Sequence, residues 1–324
     1  MMKRRTFVTA MAATGLHGLS TQARADGLPD RPITLVVPYA AGGNGDYTAR
    51  AFGESFSRVI GRTVIVDNRA GGGGAIGAMY VAGAKPDGCT LIAAAKGVFS
   101  ITPNLVKVSY AMDSFKPVGF ISQTPMVMVV KKNSALKSLE DVLEAAKQRP
   151  GKVTAGIGAI GSDNHVALLQ LELATQRSFN AVAYRGSGPM LQDLLGGQIE
   201  VGIDQLTTSR PFFESGDLVP LAVLGETAER SMPDVPTIAR VGAKPFDSTT
   251  YIGVLAPRGT PDATVALLRG GLKKALQDPQ LNERFAKAGG GVYAGEEGEF
   301  ESRVRRESDF IRKMIDEGKV QRES

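Results

Sequence analysis

Three glycine-rich stretches carry the chemistry most open to reading, because each sits at the end of a β-branched run. Ala41-Gly42-Gly43-Asn44-Gly45-Asp46 follows Ile33 to Val37, and Ala70-Gly71-Gly72-Gly73-Gly74-Ala75-Ile76-Gly77 follows Thr63 to Asp67. Gly156-Ile157-Gly158-Ala159-Ile160-Gly161-Ser162 closes the run Val153 to Ile157. Glycines there let the backbone turn tightly and bring bare N–H groups up to a ligand, and a following helix N-terminus favours negative charge. Gly72 to Gly77 and Gly156 to Gly161 both fit G-x-G-x-x-G. A dinucleotide would need a ribose-binding acid ~20 residues on, at a strand end. After Gly156 that place, Ala181 to Tyr184, holds no acid, and after Gly72 the candidate Asp87 sits in the turn Pro86-Asp87-Gly88. Neither G-x-x-x-x-G-K-[ST] nor G-x-S-x-G occurs, which removes the phosphate loop and the nucleophile elbow. A carboxylate is the more economical guest.

Other reactive side chains are few. The chain has one Cys, two His and no Trp, too few for a disulfide framework or a Cys/His zinc site. Ser162-Asp163-Asn164-His165 contains the residue types of a hydrolytic set, but a triad is defined by roles and geometry. Ser162 as a helix N-cap and His165 in the first turn account for them without catalysis. A dyad of Cys89 with His165 is formally open, yet Cys89 begins the apolar run Cys89 to Ala94 and reads as a small core residue.

Net charge +5 and a pI of about 9.2 invite a nucleic-acid reading. The positive charge is concentrated at the start: Lys3-Arg4-Arg5, an apolar stretch from Phe7 to Leu19, then Ala23-Arg24-Ala25. This is the pattern of an export signal, close to the twin-arginine type, with cleavage near Ala25. Its removal takes 38 basic against 33 acidic residues to 34 against 33. A nearly neutral mature chain carries no case for nucleic acid, and the apolar stretch is short of the ~20 residues of a membrane-spanning helix.

The elements that must position the glycine loops alternate. Strands are expected at Ile33 to Val37, Thr63 to Asp67, Thr90 to Ala94, Met126 to Lys131, Val153 to Ile157, Asn180 to Tyr184, Glu200 to Asp204, Val219 to Leu224 and Tyr251 to Leu255. Helical patterns separate them, at Tyr47 to Ile60, Ser138 to Arg149, Asn164 to Gln176 and Ser187 to Leu195; one more begins at Thr260-Pro261 and another spans Glu299 to Glu317. The expected fold class is α/β, two lobes with a mostly parallel sheet flanked by helices in each. Residues 26–124 plus 228–324 are expected to form lobe 1 and 125–227 lobe 2, with crossings near Ser122 to Pro125 and Leu224 to Thr227.

Over nearly the whole mature chain the sequence resembles the Bug (Bordetella uptake gene) family of extracytoplasmic solute receptors, the binding components of tripartite tricarboxylate transporters. The resemblance rests on Pro38 to Asp46 with Arg50, Val66 to Gly74 with Gly77, Pro86-Asp87-Gly88 and Gly161-Ser162 with His165. It continues through Tyr184 to Pro189, Leu194 to Gly197, Pro233 to Thr237 and Ala256 to Pro261. It implies a type II-like, two-lobed periplasmic binding protein with the ligand cleft between its lobes, which closes on a small carboxylate, partly through ordered waters, and works with integral membrane transporter components. Tyr39, Ala40, Gly42, Gly43, Asp46, Gly73 and Gly74 would bind from the first lobe. Ser162, His165, Tyr184, Gly186, Ser187 and Asp204 would face them. No cofactor, metal or catalytic residue is implied, and a monomer is expected. Asn44-Gly45 stands where a Gly-Thr pair is common, Cys89 where an aromatic is usual, and Ile203-Asp204-Gln205 where Phe-Asp-Asn is frequent. Two roles are open for Asp46, helix cap or ligand contact, and two for Asp204, a ligand hydroxyl or ammonium partner or a structural acid. Arg69 and Arg185, beside two of the loops, read as solvated surface residues, the alternative being that they add positive charge at the site. An exported enzyme acting on an acid or ester, and a ligand-sensing partner of a membrane signalling protein, are the alternatives.

Overall fold

The computed structural model describes residues 27–322 except 226, 227, 245, 297 and 319. The expected export signal and its cleavage point lie outside the described residues, as does the end of the stretch 224–227. The first half runs β1 (Ile33–Val37), α1 (Asn44–Ile60), β2 (Val64–Asn68), α2 (Ala75–Ala82), β3 (Thr90–Ala95), two short turns of helix α3 (Gly97–Ser100) and α4 (Thr102–Leu105), and β4 (Phe115–Thr124). Next come β5 (Met126–Lys131), α5 (Leu139–Gln148), β6 (Thr154–Ile157), α6 (Asp163–Thr175), β7 (Asn180–Ala183), α7 (Ser187–Gly196), β8 (Val201–Gln205), α8 (Leu206–Glu214) and β9 (Leu218–Val223). The last part is β10 (Thr250–Pro257), α9 (Asp262–Ala275), α10 (Pro279–Lys287), β11 (Gly291–Val292) and α11 (Glu299–Asp316).

Two sheets result, ordered β11-β4-β10-β3-β1-β2 and β7-β6-β8-β5-β9. β1 pairs in parallel with β2 and β3, and β6 with β7 and β8. Each sheet also contains one long reversed strand: β10 runs antiparallel between β3 and β4, and β5 antiparallel between β8 and β9. Each is the first strand that the chain lays down on arriving from the other sheet. The parallel strands therefore end at the same edge in each sheet, where the glycine loops follow.

Alternation along β1 shows how the first sheet is covered on two faces. Ile33, Leu35 and Val37 pack with Phe52 and Phe56 of α1 and Leu268 and Leu272 of α9, whereas Val36 packs with Ala78 and Val81 of α2 and Phe300 of α11. In the second sheet Met126, Met128 and Val130 face α5 and α6, and Val127 and Val129 face Met190, Leu191 and Leu194 of α7.

β4 was absent from the sequence expectation. Lys116, Pro117 and Gly119 break its apolar pattern, but Pro117 opposes only Leu255, on the stretch where β4 is an edge and needs no second ladder. Helix α8, with Pro211 inside it, and α10 were likewise not expected. β4 ends at Thr124 and β5 begins at Met126. After β9 the chain stays with the second sheet: Val223 bridges Thr237, and Ile238 and Ala243 enter its core. We place the return crossing just ahead of Thr250, later than the expected 224–227, because these apolar side chains are buried there.

Candidate functional site

Between the lobes lies a cavity of about 40 Å³. The first lobe contributes Tyr39 and Gly43 from the loop after β1, Asn44 and Gly45 from the start of α1, and Ala95, Thr250 and Ile252 from β3 and β10. The second contributes Gly158, Ser162, Asp163, Asn164, Gly186, Ser187 and Gln205. Helices α1, α6 and α7 begin there, so three sets of unpaired N–H groups and three positive dipole ends converge. Among the described residues no Lys or Arg lines the cavity. A larger cavity, about 380 Å³, sits between β4, α9 and the start of α11 and touches none of the glycine loops.

Five of the sequence-predicted residues line the small cavity: Tyr39, Gly43, Ser162, Gly186 and Ser187. The others do not line it. Gly42, with φ +85°, donates its N–H to Asp46 Oδ2 at 3.0 Å. Asp46 pairs with Arg50 at 2.8 Å. Burial opposes the Asp46 charge, but Arg50, the Gly42 N–H and Asn68 hold its carboxyl below the usual range. Its two oxygens are thereby used to fold the loop. Ala40 N donates to Arg185 O at 2.9 Å across the cleft.

Gly73 forms the tightest part of the seam, whereas Gly74 packs against its own lobe. A Cβ on Gly73, at φ +63°, would stand 2.4 Å from Ile160 O of the facing lobe, and one on Gly74, at φ +97°, would stand 2.9 Å from Val98 Cγ2. Gly73 O accepts from Thr102 Oγ1 at 2.9 Å.

On the other wall the side chains satisfy one another. Ser187 Oγ donates to Asp204 Oδ1 at 2.5 Å, with Gln205 Oε1 at 3.2 Å, and Ser209 Oγ donates to Asp204 Oδ2 at 2.7 Å. Asp204 is fully buried, and burial pushes its carboxyl up to about 6 despite these hydrogen bonds. Gln205 Nε2 donates to Asn164 Oδ1 at 3.1 Å, and Asn164 Nδ2 to Ile203 O at 2.6 Å. Tyr184 turns away from the cavity, its OH donating to Asp193 Oδ2 at 2.8 Å; burial and that acid push its phenol up to about 12.

Ser162 caps α6, accepting from His165 N at 3.4 Å and donating to Ala159 O at 2.7 Å. The His165 ring accepts at Nδ1 from Gly161 N, 3.4 Å away, and burial pushes it down to about 4. The hydroxyl proton thus goes to a carbonyl, not to the imidazole. Cys89 is buried and free.

Residues that the sequence reading did not select complete the closed arrangement. Lys96, just past β3, reaches Asp163 of the second lobe at 3.3 Å and Glu307 of α11 at 2.9 Å. Gly97 N donates to Asp163 Oδ1 at 3.2 Å, and Ser100 Oγ to Glu307 Oε2 at 2.5 Å. Burial works against the Lys96 ammonium, but the two acids overcome it and raise its pKa. Asn44 Oδ1 accepts from Thr207 Oγ1 at 2.7 Å. Signals for some were present: Asn44 and Gln205 stand at two departures from the family pattern, and a lysine directly after a wholly buried strand needs a partner.

Residues 48–319 match the family described as the tripartite tricarboxylate transporter family receptor. The chain belongs to that family. BugT of Bordetella pertussis is 33% identical over 278 residues, 84% of each chain. Among solved structures, the periplasmic binding protein BugD superposes with a TM-score of 0.85 at 30% identity, covering 91% of this chain and all of that one. Rpa4515 of R. palustris, solved with adipate, gives 0.83 at 32% identity, covering 89% of this chain and 97% of its own. The receptor family's fold, two lobes each built on a helix-flanked sheet with a cleft between, is the fold described above.

Proposed function

We propose that the chain is a periplasmic receptor that captures a small carboxylate in the interlobe cavity and presents it to the membrane components of its transporter. One observation carries this reading: three helix N-termini and mostly neutral polar side chains converge on the cavity, its one acidic lining residue, Asp163, is paired with Lys96, and among the described residues no lysine or arginine lines it. Such a site neutralises an anion with fixed dipoles, avoiding the rotamer entropy of long cationic side chains. Adipate in Rpa4515 supports a carboxylate guest. The cavity of about 40 Å³ has room for roughly three waters, which favours a short acid.

Catalysis is not part of the proposal. Ser162 spends its proton on Ala159 O, and His165 is buried and held neutral by its surroundings. Export with cleavage near Ala25 is part of it, and among the described residues no helix is long and apolar enough to cross a membrane.

The test is a thermal-shift and calorimetric screen of the mature chain against acetate, succinate, glutarate, adipate and their amides. At least one acid is expected to raise the unfolding temperature as mass action requires. A well-folded protein that answers to none of the acids ends the receptor reading, and turnover lost on combined Ser162→Ala and His165→Ala substitution would establish an enzyme instead.

A further inference from the structure

Within the cavity wall one side chain is only half used. Asn44 is 4% exposed and lines the cavity. Its Oδ1 accepts from Thr207 Oγ1 at 2.7 Å, with the hydroxyls of Thr124 at 3.4 Å and Thr48 at 3.5 Å. Its Nδ2 is buried and has no hydrogen-bond partner. A buried amide nitrogen left without an acceptor is costly, and native proteins rarely keep one unless something else completes it. The phenol of Tyr39, lining the same cavity, is in the same position: its oxygen is buried without a partner. Two orphan groups able to donate therefore meet at one cavity, beside the N-terminus of α1.

We propose that Asn44 is a ligand-binding and specificity-determining residue, its Nδ2 donating to a carboxylate oxygen of the bound acid with Tyr39 OH as a second donor. The inference rests on the receptor reading and deepens it, since it assigns a side-chain donor to a wall otherwise made of glycine backbone. The three hydroxyls around Oδ1 fix the amide with its nitrogen left for the guest. Because Thr207 belongs to the second lobe, Asn44 also reads closure: the bond from Thr207 orients the amide when the lobes meet. An acid is then preferred over its amide, whose NH₂ would face the Asn44 NH₂ donor to donor.

The experiment measures the affinities of succinate, glutarate and adipate and of their half-amides for wild type, Asn44→Asp and Asn44→Gly. Asn44→Asp keeps an acceptor for the three hydroxyls but replaces the free donor by a charged oxygen, so its ratio is read beside that of Asn44→Gly, which removes the donor and adds no charge. The acid-to-half-amide affinity ratio is expected to fall by about tenfold or more in Asn44→Asp, the loss of a hydrogen bond to a charged acceptor. Asn44→Gly, which deletes the amide altogether, gives the same direction if the aspartate variant does not fold. A ratio within about threefold of wild type, in a variant that still binds, overturns the proposal and leaves the receptor reading standing. Wild type that binds none of these acids overturns both.

Discussion

The two walls of the cleft are made differently. The first-lobe wall is mostly backbone, the turns around Gly42, Gly43 and Gly73, and it leaves Tyr39 OH and Asn44 Nδ2 without partners. The second-lobe wall is a closed circuit of side chains in which Ser187, Asp204, Ser209, Gln205 and Asn164 satisfy one another. A saturated wall holds its shape whatever the guest, whereas an unsaturated one asks the guest for acceptors. Selectivity for an acid is therefore expected from the first wall, and rigidity from the second.

Predictions can break this contrast at several strengths. The largest effect is expected at the seam. Gly73→Val places a side chain at a positive φ and against Ile160 O, so the lobes cannot meet. Ligand affinity by calorimetry should fall roughly a thousandfold, and a loss under tenfold would show that the seam opens at little cost.

Next comes pH, which acts on the second lobe through two opposed groups. His165 is pushed down to about 4, so unfolded chains take up a proton below its ordinary 6.5 that the native protein refuses. Its contribution falls as pH drops from 6.5 to 4. Asp204 is pushed up to about 6 from 3.8, so its contribution falls as pH rises between those values. Each is worth on the order of 3 kcal/mol, and they largely cancel between pH 4 and 6. Asp204→Asn, measured against wild type by urea unfolding, should lose stability on acidification through that window. His165→Gln should gain it. Parallel curves for all three proteins would remove the account of both groups.

A smaller effect is expected from Asp163→Asn. It weakens the interlobe tie to Lys96 while Glu307 still neutralises that lysine. About a tenfold weaker ligand affinity is expected, largely in a faster release rate; unchanged release would mean that the tie does not hold the closed state. Smallest of all, Lys313→Ala on the exposed side of α11 should leave affinity unchanged and stability within about 0.5 kcal/mol. A larger change would carry the site beyond the two walls.

How much of this was legible in the sequence follows from the same contrast. The backbone wall announced itself, because glycines after β-branched runs have a local signature: β1, the loop, and α1 are consecutive in the chain. Ser138 and Ser162 as N-caps were likewise local, and both cap as their spacing implied. The side-chain wall was half legible. Ser187 and Asp204 came through the family resemblance, but nothing near them in sequence says that Ser209 and Ser187 share the two oxygens of Asp204. The Lys96, Asp163 and Glu307 cluster joins Lys96 to residues 67 and 211 positions away, which no local pattern encodes. Tyr184 is the reverse case: its position in a family motif suggested a ligand contact, and no local pattern says that its phenol bonds Asp193. β4 escaped because a proline on an unpaired edge looks, in sequence, like a break.

The placement of β10 has a consequence for how the protein is made. It occupies the middle of the first sheet, between β3 and β4, yet begins at Thr250. On the ribosome, β1 to β4 emerge early with a gap where their common neighbour belongs, and the entire second lobe is synthesised before that neighbour exists. Non-local pairing of this kind is slow to form and leaves strand edges open meanwhile. The lobe that is born first is thus finished last, and a chain cut short anywhere before residue 250 would carry a first lobe that is open down its centre.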